Sequence, residues 1–389
     1  MKKETKTVAE FFAGIGLMRM GLDGAGWSTV WANDIDPDKV AMYRHHFDDP
    51  DDHFALGDVH LLDSSSIPTV ALATASFPCT DLSLAGARRG LAGSGSGAFW
   101  GFIDAIKGMG TRKPPLVLLE NVTGFLSSRE GNDFRDACIA LNELGYSVDA
   151  FIIDAANFVP QSRQRLFVVG SQRTGSLKVQ ESGNSFLEGN GRPTALADFI
   201  LWHPEVNWSI RELPTLPKRR RSLADILEVL SPNSSLWWST ERSTYLLNQM
   251  SPKHRELADS MIRGKTETHG TVFRRVRKGR SMAELRRDGI AGCLRTPRGG
   301  SGRQILFTAG CGKFGVRLLS ARECARLMGA DDFKMDEHLP LNKALFGFGD
   351  AVCVSVVEWI AHHYLNPLLA ELMSSEPEKS IKYGATKKR

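Results

Sequence analysis

The first 170 residues constrain this chain most, because short apolar runs alternate there with segments of helical period. Thr7–Phe12 reads as a strand, and the turn Gly14-Ile15-Gly16 leads into a helix through Leu17, Met20 and Leu22. Ser28–Asn33 is a second strand. Asp36 followed by Pro37 marks a helix start, since an aspartate caps free N–H groups and proline suits the first helical position. Thr69–Phe77 and Leu116–Leu119 are continuous apolar runs, the pattern of strands buried on both faces. A helix over Phe134–Leu144, closed by Gly145, and runs at Tyr146–Asp154 and Leu166–Gly170 complete the series. This alternation predicts a doubly wound α/β sheet.

The rhythm stops after Gly170. Residues 171–193 are rich in Gly, Ser and Asn and read as a linker, and no βαβ pattern is visible from there to about 315. That stretch carries basic clusters at Lys218–Arg221 and Arg274–Arg280, while Trp237 and Trp238 read as core residues. Helical period returns at Ser320–Met328 and Val352–Tyr364, and the tail from Ser374 is polar. A chain of 389 residues can bury one large core and carry a second domain. The net charge of +5 permits nucleic-acid binding without requiring it. Six scattered cysteines with no C-x-x-C pair argue against a zinc site or a disulfide framework and fit a reducing cytosol. The N-terminus leaves no room for a signal peptide, and no apolar run approaches a bilayer span. A cytoplasmic protein without membrane or metal is expected.

Three groups carry chemistry. Gly14 and Gly16 let the backbone pass close to a ligand at a helix N-terminus, and Asp34 follows where an acid commonly meets a ribose. Asp58, in Gly57-Asp58-Val59, suits an adenine amino group. Together these predict an adenosine cofactor, without choosing between NAD and S-adenosylmethionine. Pro78-Cys79 and Glu120-Asn121-Val122 each end an apolar run, so both reach the same sheet edge. Cys79 reads as a nucleophile if its surroundings favour the thiolate, and otherwise as buried packing. A glycine-rich loop from Gly86 to Gly97, holding Arg88 and Arg89, could close over a substrate. Glu120 is either a proton donor whose pKa rises on burial or a structural carboxylate paired with Arg163 or Arg165. Those two arginines share one face of an extended segment and suit a carbonyl oxygen or a phosphate, or else a solvated strand edge.

In their order these motifs resemble those of the bacterial-type C5-cytosine DNA methyltransferases, over nearly the whole chain. The glycine turn is similar to the first family motif, and Phe77-Pro78-Cys79 with Ser83 and Gly86 to the catalytic motif. Glu120-Asn121-Val122 is similar to the acid motif, and Gln161-Ser162-Arg163-Gln164-Arg165 to the Gln-x-Arg-x-Arg motif. Leu319–Gly329 resembles the late motif that organises the recognition domain, and Gly347–Val352 the final cofactor motif. The resemblance implies a Rossmann-like, S-adenosylmethionine-dependent sheet with a smaller target-recognition domain. It divides the chain into a catalytic domain over 1–190, a recognition domain over 191–335, a returning segment over 336–373 and a tail over 374–389.

It further implies that Cys79 adds to C6 of a flipped cytosine while Glu120 engages N3 and the exocyclic amine. Arg165, with Arg163, would hold the O2 side. Phe77 and Pro78 would wall the pocket. The cofactor positions implied are Phe12, Gly14, Ile15, Gly16, Asp34, Ile35, Asp58, Val59, Pro78, Phe99, Asp350 and Val352. Double-stranded DNA would meet Ser83, Arg88, Arg89, Arg295, Thr296, Arg298, Gly300 and Arg303. The last five lie in a stretch, 271–303, with ten Lys/Arg against two acids. Thr80 stands where the family has Gln, Leu17 for a third Gly, Asp34 for Glu, and Asp350-Ala351 for Asn-Ser. A monomer is expected, with a restriction endonuclease or a phage-defence system on the same site as candidate companion. An RNA cytosine methyltransferase and a non-catalytic DNA-binding relative are the alternatives.

Overall fold

The computed structural model describes residues 6–48, 53–78, 97–172, 189, 191–277, 279–296 and 303–374. Cys79, Thr80, Ser83, Arg88, Arg89, Arg298 and Gly300 lie outside these residues, as do most of the 171–193 linker and the tail beyond Ser374.

Seven strands form the main sheet: β1 (Thr7–Phe11), β2 (Ser28–Asp34), β3 (Phe54–Leu56), β4 (Leu72–Ala75), β5 (Leu116–Val122), β6 (Ser147–Asp154) and β7 (Gln164–Ser171). Their order is β3-β2-β1-β4-β5-β7-β6. The first five run parallel, and β7 enters antiparallel between β5 and β6. Only nine residues separate β6 from β7, too few for the crossover that a parallel pair needs, so the chain turns back on itself. The doubly wound expectation holds, with this antiparallel insertion added.

Helices cover both faces. Helices α1 (Leu17–Gly24) and α2 (Pro37–Phe47) follow β1 and β2. The Asp36 side chain caps α2 by accepting from the Asp38 and Lys39 amides, with Pro37 at the first position. Helices α3 (Ala98–Gly108) and α4 (Asn132–Glu143) flank β5. Alternate strand residues feed two cores: Val8, Leu72 and Leu118 face one, while Ala9, Ala73 and Val117 face the other. Burying a Leu or Val side chain is worth about 1.5–3 kcal/mol, which is why runs this apolar become central strands.

The smaller unit has a core of its own, built from Leu246 to Val316. It contains α6 (Thr240–Asn248), α7 (Pro252–Ile262) and an antiparallel sheet ordered β11-β10-β8-β9. Its strands are β8 (Thr268–Arg277), β9 (Arg280–Arg286), β10 (Ile305–Gly310) and β11 (Lys313–Leu318). The expected boundary at 191 moves. Helix α5 (Thr194–Trp202) buries Leu196, Phe199 and Ile200 in the catalytic core, and Leu213, Leu223 and Ile226 follow on the other face. The second boundary moves as well. Leu319 to Phe333, including α8 (Ala321–Leu327), belongs to the first core, so the small unit spans roughly 238–318. Trp238 packs at its edge, half-buried, with the Arg242 guanidinium 3.8 Å from its ring centre.

Helices α9 (Leu341–Asp350), α10 (Val354–Ile360) and α11 (Asn366–Ser374) return to the first core. The stretch Leu341–Ser374 has the length and composition of a membrane span, but 72% of its most apolar window is buried in the protein, as in a core helix.

Candidate active site

The catalytic edge follows from strand register. Ala75 ends β4 opposite Leu119 of β5, so Ser76 leaves the sheet beside Glu120, which β5 still holds against β7. Asn121 then reaches back and donates to the Phe77 carbonyl at 3.1 Å. This bond ties the segment leading to Cys79 to the strand that carries the acid, which gives the Glu-Asn pair a structural reason. Phe77 packs in the core against Phe99 and Phe125, with ring centres 5.2 and 5.6 Å away. Only Pro78 is exposed, so the expectation that both residues wall a pocket is corrected for Phe77.

Glu120 is 5% exposed. Antiparallel register pairs it with Phe167, so Arg165 is its diagonal neighbour on the same face. Arg165 Nε lies 2.9 Å from Glu120 Oε1. Burial pushes the Glu120 carboxyl up, against the pull of Arg165, Arg163 and the Ser76 hydroxyl. The two readings left open by the sequence therefore coincide: Glu120 is paired, and its proton is still held more tightly than an ordinary carboxyl's.

Arg163 does something else. Its guanidinium donates to the carbonyls of Leu294 (2.9 Å), Gly349 (3.1 Å) and Ala351, and to Cys293 Sγ at 3.3 Å. It is 2% exposed. A guanidinium spent on three main-chain carbonyls has little left for a base, so the catalytic assignment of Arg163 is corrected to a fastener. Gln161 works in the same way. It donates to the Leu327 carbonyl at 2.8 Å and accepts from the Leu294 amide at 2.9 Å. The segment 160–165 thus joins the sheet edge, the chain leaving the small unit and the end of α8.

The cofactor side assembles around Asp34. Its carboxylate accepts from the Gly14 amide and the Asp36 amide, both at 2.8 Å. Asn33 donates to the Ala55 and Gly57 carbonyls, which brings Asp58 alongside. The Asp58 carboxylate caps the following turn through the His60 amide. Phe12 has φ of 56°, a left-handed backbone that costs a non-glycine residue about 1–3 kcal/mol and often marks a working turn. A Cβ added at Gly14 would meet only the Phe12 carbonyl oxygen, at 4.0 Å, whereas one at Gly16 would strike Phe47 and Tyr43. Gly14 therefore leaves room for a ligand and Gly16 permits helix packing. Ile35 is exposed beside this turn.

Several expected contacts are enclosed. The side chains of Ile15, Val59, Phe99 and Val352 are buried among apolar neighbours, so they back the cleft rather than face it. Asp350 pairs with Lys39 of α2 at 2.8 Å. Burial opposes the Lys39 charge, but Asp350, Asp34 and Asp36 prevail and its pKa is raised. Gly349 is required by close approach, since a Cβ there would lie 2.6 Å from the Arg295 carbonyl carbon. Arg295 is exposed and Thr296 half-buried, while Arg303 donates to Asn342 Oδ1 at 2.5 Å, which occupies part of its guanidinium.

Two titratable groups were not singled out by the sequence. Glu10 on β1 is almost wholly buried, and neither carboxylate oxygen has a well-formed hydrogen bond. Burial raises its pKa to about 8 despite the nearby Arg19 guanidinium. An acid two residues before Phe12 was the available signal. Cys293 was hidden because its neighbours Arg163 and Arg165 are distant in sequence. Among the described residues no cluster suits a metal ion.

Strand order, with one antiparallel strand inserted, defines a Rossmann-like α/β fold. The family model of the C-5 cytosine-specific DNA methylases matches residues 6–366, and the chain belongs to that family. The type II methyltransferase M.HhaI of Haemophilus parahaemolyticus is 26% identical over 356 residues, covering 91% of this chain and 92% of that enzyme. M.Bsp6I of Bacillus sp. (strain RFL6) is 30% identical over 166 residues, 42% of this chain. The chain spans about half the length of M.Bsp6I, 51%, and the same share of M.HaeII of Haemophilus aegyptius. Among solved structures, the S. pombe Dnmt2 methyltransferase superposes with a TM-score of 0.61 at 18% identity, over 95% of this chain and 99% of that one. The Entamoeba histolytica methyltransferase EhMeth gives 0.63 at 14%, with the same coverage. At these identities the likeness is one of fold.

Proposed function

We propose that the protein transfers a methyl group from S-adenosylmethionine to C5 of a cytosine within a specific duplex DNA sequence. The observation that carries this reading is the buried Glu120–Arg165 pair beside the segment that delivers Cys79. The cleft suits the cofactor. Gly14 offers a close backbone, and Asp34 and Asp58 offer acceptors. When bound, S-adenosylmethionine supplies a sulfonium methyl, an electrophile matched to a carbon nucleophile.

The residues of the chain do the rest. A cytosine C5 is poorly nucleophilic until its ring is activated. The Cys79 thiolate adds to C6, and the ring electrons move toward C5. Glu120 supplies a proton or hydrogen bond at N3, which draws that addition forward. Arg165 holds Glu120 in place and stands on the O2 side. Loss of the C5 proton then expels Cys79 and restores the ring. A base inside a duplex cannot reach this edge, so it must be flipped out. Arg295 and Thr296 lie on the approach from the small unit, which we assign to DNA recognition.

The relatives are named type II methyltransferases, and we carry that setting over: a monomer in the cytoplasm, on the nucleoid when bound to DNA, sharing its site with a restriction endonuclease. Bisulfite sequencing of DNA from cells expressing the protein tests the activity and reveals the site. Converted cytosines throughout, with label transfer to tRNA instead, would move the substrate to RNA.

A further inference from the structure

No motif announces Cys293. It sits two residues beyond Ala291, where the chain leaving the small sheet bridges to Gln161. Its sulfur lies 3.3 Å from Arg163 Nη1 and 4.0 Å from Arg165 Nη2. Arg165 also donates through Nη1 to the Gln164 carbonyl and holds Glu120 through Nε. Glu120, Arg165, Cys293 and Arg163 are therefore linked in one row across two units of the fold. The charged and titratable neighbours of this row, among the described residues, are Arg295 beside the cysteine and Cys353 before α10.

We propose that Cys293 is a positioning residue: its sulfur accepts from Arg165, fixes that guanidinium against Glu120, and so sets how tightly Glu120 keeps its proton. Three arginines surround the sulfur. Burial opposes the thiolate, but Arg163, Arg165 and Arg295 together favour it, and the thiol is lowered below its ordinary range. The sulfur is itself held in place, donating to the Leu294 carbonyl at 3.2 Å. Without the sulfur, Arg165 loses one of its anchors, its pull on Glu120 weakens, and Glu120 holds its proton to higher pH. The catalytic part of this inference rests on the methyl-transfer reading, while the contact itself does not.

Two measurements test it on the full chain. Single-turnover transfer from labelled S-adenosylmethionine to duplex DNA is followed across pH for the wild type, Cys293→Ala and Cys293→Ser. The alanine variant should move the alkaline limb up by about half a pH unit or more. Serine, which keeps an acceptor, should bring the limb back toward its wild-type position. An equal loss at every pH in both variants would overturn the proposal. The second measurement needs no DNA. Alkylation of Cys293 by iodoacetamide is followed on its own peptide against pH, with exposed Cys311 as internal control. The Cys293 midpoint should lie below that of Cys311 and rise toward it in Arg165→Met. Equal midpoints in the wild type overturn the contact. A low midpoint without methyl transfer leaves the contact standing and rejects the function.

Discussion

At the scale of single residues, two arginines from one motif part company. Arg165 stands on the acid, and Arg163 is spent on three carbonyls from two distant segments. Arg163→Met should therefore act through stability. Buried carbonyls left unpaired cost about 1–3 kcal/mol each, and thermal denaturation should show a clear fall in Tm. An unchanged Tm with lost activity would return Arg163 to the catalytic set. Glu120→Gln should keep the fold and DNA binding while transfer falls about 10²–10⁴-fold. Arg165→Met leaves Glu120 buried with its main counter-charge gone, so its proton should be held to still higher pH. The sequence made Glu120 and Arg165 visible because a strand end and a motif spacing mark them. It could not separate Arg163 from Arg165, because their partners at 294, 349 and 351 come from distant segments.

At the scale of elements, the late motif is a device for joining units. Ser320 caps α8, and Glu323 returns the bond to the Ser320 amide in a reciprocal capping box. Glu323 also takes both terminal nitrogens of Arg317, at 2.6 Å each, and both residues are fully enclosed. Arg317 belongs to β11 of the small sheet, so this pair bolts that sheet to the catalytic core. Breaking one partner of a buried pair strands the other charge, and Glu323→Leu should cost about 3–5 kcal/mol in denaturant unfolding. A loss near zero would show that the two units are held elsewhere. The motif was legible in sequence because Ser-x-x-Glu before an apolar helix is a local signal. The strands β8 to β11 were not legible, because β8 and β9 carry exposed arginines whose charges mask alternation. Helix α5 was assigned to the wrong unit for a related reason. Its apolar residues announce burial, but nothing local says against which core.

At the scale of the whole molecule, a sheet edge, a returning C-terminal segment and a small domain converge on one row of charges. A chain that builds such a site keeps groups whose burial is costly in the free protein. Glu10 is the clearest case. Its folded pKa, about 8, lies above the ordinary carboxyl value, so folding favours the protonated form. That stability is fully present below the ordinary range and drains away as pH climbs through about 8. Glu10→Gln should remove this slope and make the free protein more stable than the wild type at alkaline pH. Thermal denaturation across pH checks this, and an unchanged slope in Glu10→Gln would show that the slope has another source. The central claim is that Cys79 attacks C6 and that the C5 proton must leave before the enzyme is free. Duplex DNA carrying 5-fluorocytosine at the methylated position tests it most directly, because fluorine cannot leave as a proton does. With S-adenosylmethionine present, mass spectrometry should find the Cys79 peptide covalently joined to a C5-methylated, fluorinated base. Full turnover on that DNA, or an adduct that survives Cys79→Ser, would contradict the account.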